Sequence, residues 1–211
     1  NSVLKLAWSP NAYTVATNLT NAGATWTTMT IDSNLFSGSH VSMVASGGKL
    51  FLAYYDTAEA DLKFARLTWT GNGTAPTVDG IVYVDRYLSV GSWTKVGMID
   101  MDVGGAGTAQ PYVAYYSDSY NGTKKPIRLA FPRFDAAAGS LVHGVTGTSG
   151  EDDTYSGDWE VVAVPTLTTP KGGMEQFNHA QLAYALTNGL NMPIVGWLGD
   201  KLEYARMQPN N

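Results

Sequence analysis
The sequence predicts an all-β chain, and three observations carry that expectation. A hairpin of two apolar, aromatic-rich runs around a polar turn recurs along its length. Other strand-like runs fill the intervals between the copies. No segment combines a helical period with caps. The clearest copy runs from Leu50-Phe51-Leu52-Ala53-Tyr54-Tyr55, through a turn at Asp56 to Asp61, into Leu62-Lys63-Phe64-Ala65-Arg66-Leu67. A second joins Pro111-Tyr112-Val113-Ala114-Tyr115-Tyr116 to Ile127-Arg128-Leu129-Ala130-Phe131, and a third joins Pro193-Ile194-Val195-Gly196-Trp197-Leu198 to Leu202-Glu203-Tyr204-Ala205-Arg206. A worn copy opens the chain, with Leu4 to Trp8 expected to turn at Ser9-Pro10-Asn11 and pair with Tyr13 to Thr17.

The remaining elements follow in order. Thr25 to Ile31 reads as a strand after a turn at Asn21-Ala22-Gly23, and His40 to Ala45 as another that stops at Ser46-Gly47-Gly48. Thr70 to Thr77 is expected as loop and Ile81 to Val84 as a strand, with Arg86 to Val90 its continuation. Val96 to Val103 alternates strictly, which fits a strand with one buried face. Arg133 to Ser156 is the longest irregular piece, and Trp159 to Val164 and His179 to Leu186 are strands. Any short helical turn is expected between Met174 and Leu186.

Four-strand units at this spacing point to a β-propeller of four-stranded antiparallel blades, about three to four in this chain, as a four-bladed ring or part of a larger propeller. The repeat is long: 65 residues separate Leu62 from Ile127, and 75 separate Ile127 from Leu202. The expected division is a single domain over residues 1–211, with a partial blade at 1–31, blades at about 40–90 and 96–164, and a partial blade at 179–206. Ends that fall inside blades, and a first residue that is not Met, suggest a processed product or a fragment whose ring is completed elsewhere.

Composition narrows the function. Only 15% of the 211 residues are charged, against about 25% in an average soluble protein. A net charge of −5 lacks the basic face that nucleic acid needs. The absence of cysteine removes disulfides and Cys-based zinc sites. No apolar run reaches the roughly 18 residues of a membrane helix. The uncharged polar composition fits a secreted or cell-surface protein, and the absence of cysteine fits a bacterial or archaeal exported one. Asn18, Asn72 and Asn121 begin Asn-x-Thr sequons and are candidate glycosylation sites.

Two stretches resemble known repeats. Asn21-Ala22-Gly23-Ala24-Thr25-Trp26 resembles the Asp-box, S-x-D-x-G-x-T-W, of sialidase-like propellers, with Asn21 in place of the Asp and Leu19 where Ser or Thr belongs. Ala53-Tyr54-Tyr55-Asp56 and Asp61-Leu62-Lys63-Phe64-Ala65-Arg66 resemble the SYYD…DLKYAR repeats of bacterial exported propeller proteins. The resemblance implies the propeller fold over nearly the whole chain and says almost nothing about activity.

Candidate sites are each set beside a plainer reading. His40 and His179 start equivalent inner strands, where they could bind a ligand or simply make structural hydrogen bonds. Tyr55, Tyr116 and Trp197 occupy matching positions and could stack on sugars, or pack between blades. Asp100 and Asp102, two apart on one strand, could hold Ca²⁺, or be solvated acids. Glu151-Asp152-Asp153 with Asp158 is a weaker Ca²⁺ candidate, and no other cofactor is indicated. Sialidase chemistry needs an arginine cluster and a Tyr–Glu pair, and neither is visible among Arg66, Arg86, Arg128, Arg133 and Arg206. The expectation is therefore a non-catalytic propeller module that binds protein or glycan or builds an assembly, completed by a protein partner or by self-association. Part of a sialidase-like glycoside hydrolase is the alternative.

Overall fold
The computed structural model describes residues 2–9, 25–71, 74–86, 89–100, 109–117, 127–132, 134–135, 140–141, 159–163, 181–187, 190–198 and 202–206. Every regular element among them is a strand. In chain order these are β1 (Leu4–Trp8), β2 (Thr27–Asp32), β3 (Ser37–Ser46), β4 (Lys49–Asp56), β5 (Asp61–Thr68), β6 (Thr77–Asp85), β7 (Val90–Asp100) and β8 (Ala109–Ser117). They continue with β9 (Ile127–Pro132), β10 (Phe134–Asp135), β11 (Ser140–Leu141), β12 (Trp159–Ala163), β13 (Gln181–Thr187), β14 (Leu190–Leu198) and β15 (Leu202–Arg206).

Two four-stranded antiparallel sheets, β3-β4-β5-β6 and β7-β8-β9-β12, form the body. A three-stranded sheet β13-β14-β15 and the pair β1-β2 accompany them. The β4–β5 hairpin pairs Lys49 with Thr68 through to Asp56 with Asp61 without a slip, which keeps every aromatic on its intended face.

Among the described residues two cores lie between sheets. Phe51, Ala53, Leu62, Phe64, Val84, Val90, Val96, Val113, Tyr115, Ala130 and Trp159 form the core shared by the two four-stranded sheets. Leu4, Leu6, Ile31, Leu50, Leu52, Tyr54, Ala65 and Leu67 form the one between β1-β2 and the first four-stranded sheet. Tyr54 and Tyr115 are buried while their neighbours Tyr55 and Tyr116 are half-buried, as period-two alternation requires.

The structure corrects several boundaries. Leu4–Trp8 pairs with Thr27–Asp32, so it corresponds to the third strand of a sheet, as β5 does, and not to the second. Tyr13 to Thr17 and Asn21 to Gly23 lie outside the described residues. β6 begins at Thr77 and ends at Asp85, so Arg86 to Val90 does not prolong it. Both β3 and β7 start earlier than alternation suggests, because irregular pairing at Ser37, Ser39 and Ser42, and at Val90, Ser92 and Lys95, disrupts the period. Phe134–Asp135 pairs with Ser140–Leu141 inside the piece expected to be irregular. Gln181 to Thr187 is strand, as expected of His179 to Leu186, so no helical turn falls there, and residues 174–180 lie outside the described residues.

One close approach recurs. Gly38 and Gly91 adopt φ of 93° and 104°, and a Cβ on Gly91 would stand 2.8 Å from the Leu62 Cα. Gly91→Ala should therefore destabilise the protein by roughly 2–4 kcal/mol. Gly47→Ala, where φ is 56° but nothing lies within 4 Å, should cost only about 1 kcal/mol. Urea unfolding of the two variants checks the contrast.

Candidate functional site
The loop that leaves each outer strand for the next sheet is built twice to one plan. Asp32 stands six residues before Gly38-Ser39-His40, and Asp85 stands six before Gly91-Ser92-Trp93. His40 and Trp93 are therefore equivalent, and both hold a left-handed backbone, with φ of 51° and 54°. That conformation is strained for a side chain with a Cβ and persists only where surrounding contacts enforce it. The hydroxyl of Thr94 supplies one such contact by donating to the carbonyls of His40 and Ala53.

The two strained residues meet. Their ring centroids lie 4.3 Å apart at 56°, and the His40 ring is 6.1 Å from that of Tyr55. Tyr55 shares a hydrogen bond of 3.2 Å with the Ser89 hydroxyl. All three rings are half-buried, so each leaves part of its surface to solvent. The Ser92 hydroxyl and the Trp93 indole N–H are buried without a hydrogen-bond partner among the described residues.

At the start of each such loop lies a polar latch between sheets. In the first copy, the Asp32 carboxylate accepts from the Tyr54 hydroxyl at 2.8 Å, the Ser37 hydroxyl at 3.2 Å and the Asn34 backbone N–H at 2.9 Å. The Lys63 ammonium lies 3.4 Å from Asp32 and 2.5 Å from Asp56. In the second copy, Asp85 accepts from the Tyr115 hydroxyl at 2.6 Å and from Arg128 at 2.8 Å.

The two aspartates titrate in opposite directions. Burial pushes Asp32 up, but the Asn34 N–H, the Tyr54 hydroxyl and Lys63 outweigh it and hold the carboxyl below its ordinary value. Asp85 is fully buried, and there burial prevails over Tyr115 and Arg128 and raises it. Tyr54 and Tyr115 are both raised, by burial first and then by the carboxylate each one serves.

A third cluster brings together residues that the sequence did not connect. The Tyr83 hydroxyl donates to Glu59 at 2.5 Å, and the Arg86 guanidinium lies 4.5 Å from the centre of the Tyr83 ring. This is a tyrosine–glutamate pair, the element that sequence reading did not find. Burial and then the Glu59 carboxylate raise Tyr83, which disfavours a phenolate. The arginines whose side chains are described are each held by an aspartate: Arg66 by Asp79, Arg86 by Asp61 and Arg128 by Asp85.

Of the expected site residues, His40 and Tyr55 come together, and Trp93 joins them. Tyr116, half-buried on β8, pairs in register with Ser92 and Ile127. Trp197 lies on β14 and Asp100 ends β7, both outside the described side chains. His179, Asp102, Glu151 to Asp153, Asp158 and the sequons at Asn18, Asn72 and Asn121 lie outside the described residues. Among the described residues no group of three or more potential ligands could hold a metal ion, and no helix is long and apolar enough to cross a membrane. No family model matches the chain, and neither does any curated protein or solved structure.

The buried Asp61 beside Arg86 gives a pH prediction. Burial raises its pKa to about 6, against the partial relief that Arg86 provides. The native state thus holds a proton that the unfolded chain, near 3.8, releases. The stability carried by protonated Asp61 is complete below about pH 4 and is lost as pH rises through about 6. Asp61→Asn, which stays neutral, should gain roughly 1–2 kcal/mol relative to wild type between pH 4 and 7.5. Urea denaturation at the two pH values measures this.

Proposed function
We propose that the chain is a non-catalytic binding module of β-propeller type, secreted or displayed at a cell surface, that seats a glycan on His40, Tyr55 and Trp93. The observation that carries the reading is the pair of equivalent, strained aromatic residues in contact at the starts of β3 and β7. Backbone strain maintained at matching positions of a repeat is a mark of a functional site. Half-exposed rings offer faces to the C–H surface of a sugar. The four-stranded antiparallel sheets, and the resemblance of Asn21–Trp26 and Ala53–Arg66 to propeller repeats, support the architecture.

The enzyme reading draws its support from the Tyr83–Glu59 pair. It lacks a carboxylate clamp, because Arg66, Arg86 and Arg128 are each committed to a separate aspartate. A raised tyrosine is also a poor nucleophile at neutral pH.

A glycan array followed by calorimetry tests the proposal. Wild type should bind at least one glycan class with quenching of tryptophan fluorescence, and Trp93→Ala should weaken it at least tenfold, about 1.4 kcal/mol. Turnover of a fluorogenic sialoside that disappears in Tyr83→Phe would favour the hydrolase instead.

A further inference from the structure
The repeat offers a burial comparison between equivalent positions on β3 and β7. Val41 and Met43 on β3 correspond to Thr94 and Val96 on β7, counting from His40 and Trp93. Thr94 and Val96 are 2% and 9% exposed, because the β3–β4 hairpin of the preceding sheet lies over them. That hairpin brings Phe51, Ala53 and Val44 into their core. Its Ser42 hydroxyl accepts the Val96 N–H at 3.0 Å, and its Ala53 carbonyl accepts the Thr94 hydroxyl at 3.2 Å. Val41 and Met43 are instead 44% and 51% exposed. Met43 pairs in register with Leu52, a member of the core against β1 and β2. The uncovered apolar face is therefore continuous with an interface already formed.

The same comparison holds for the neighbouring strand. β5 is flanked by β4 and β6, whereas β1 pairs with β2 alone among the described residues. Lys5 on β1 matches Lys63 on β5, each following the leucine that receives the glycine loop (Leu4 with Gly38, Leu62 with Gly91). Lys63 is 2% exposed and bound 2.5 Å from Asp56, the last residue of the hairpin strand beside it. Lys5 is exposed and pairs with no acid among the described residues.

We infer that the edge of β1 that no described strand pairs and the Val41–Met43 face form one docking surface for a polypeptide β-hairpin of the β3–β4 type. Its second strand extends the β1-β2 sheet by antiparallel pairing with β1, its apolar face covers Met43 and Val41, and a carboxylate at its end meets Lys5. Alternation of the hairpin's side chains sets which face meets β3, and the Lys5 charge sets where along β1 its acid must fall. This rests on the repeat itself and stands apart from the glycan seat.

A synthetic peptide of residues 37–56, which carries the required face and Asp56, is the probe. It is titrated into the full chain labelled at its methionine methyl groups and backbone amides. Saturable shifts at Met43 and along β1 are expected. Met43→Asp should abolish them. Lys5→Glu should weaken binding about tenfold, with recovery when the peptide carries Asp56→Lys. The inference is overturned if the peptide leaves Met43 and β1 unmoved, or if both variants bind it as wild type does. Self-association that buries Met43 without any peptide would also overturn it, since the occupant would then be a second copy.

Discussion

A buried aspartate at the end of an outer strand, holding a tyrosine and a cation from the following sheet, is the contact on which the arrangement depends. Asp32 with Tyr54 and Lys63, and Asp85 with Tyr115 and Arg128, do this at two successive junctions. Apolar packing between sheets is nondirectional and would accept several relative positions. A carboxylate removed from water is less tolerant, because every lost partner leaves a desolvated charge. The latch thus selects one register among the apolar alternatives. It also places the start of the next strand, six residues on, where Gly38 and Gly91 pass close to Leu4 and Leu62.

The strained His40 and Trp93 follow from that placement. A chain pinned at the aspartate and pressed against the preceding sheet at the glycine enters the new strand through irregular pairing. The residue two positions after each glycine takes the left-handed conformation. Repetition of the device in adjacent sheets brings the two rings into contact, so one local solution used twice creates the candidate seat. The copies are not identical in charge: Asp56 gives Lys63 a second carboxylate, while the residue that corresponds to Asp56 in the second copy is Ser117. Acids therefore crowd the first copy, and Asp56 and Glu59 contribute to the raised pKa of Asp61.

Much of the fold was legible because strands announce themselves by alternation. That Tyr54 and Tyr55 face opposite sides, and that their strand forms a hairpin with Leu62–Leu67, could be read from residue order alone. The opening strand was misread because the pairing of Leu4–Trp8 skips to Thr27–Asp32, and its sequence, Leu-Lys-Leu-Ala-Trp, matches the second hairpin strand better than the first. Of the seat, His40 and Tyr55 were visible and Trp93 was not, since irregular pairing hid the start of β7. The signal was present as Gly38-Ser39-His40 and Gly91-Ser92-Trp93 at equal distances from an aspartate. The latch and the Glu59–Tyr83 pair join residues 22 to 43 positions apart, a separation at which a single sequence carries no pairing information.

The most direct test of the latch is a double-mutant cycle of Asp85→Asn and Tyr115→Phe, measured by urea unfolding of both single variants and the double variant. A charge-assisted hydrogen bond in a buried network should give a coupling of about 1.5–3 kcal/mol. Additivity within about 0.5 kcal/mol would mean that the aspartate and tyrosine do not act together, and would contradict the account.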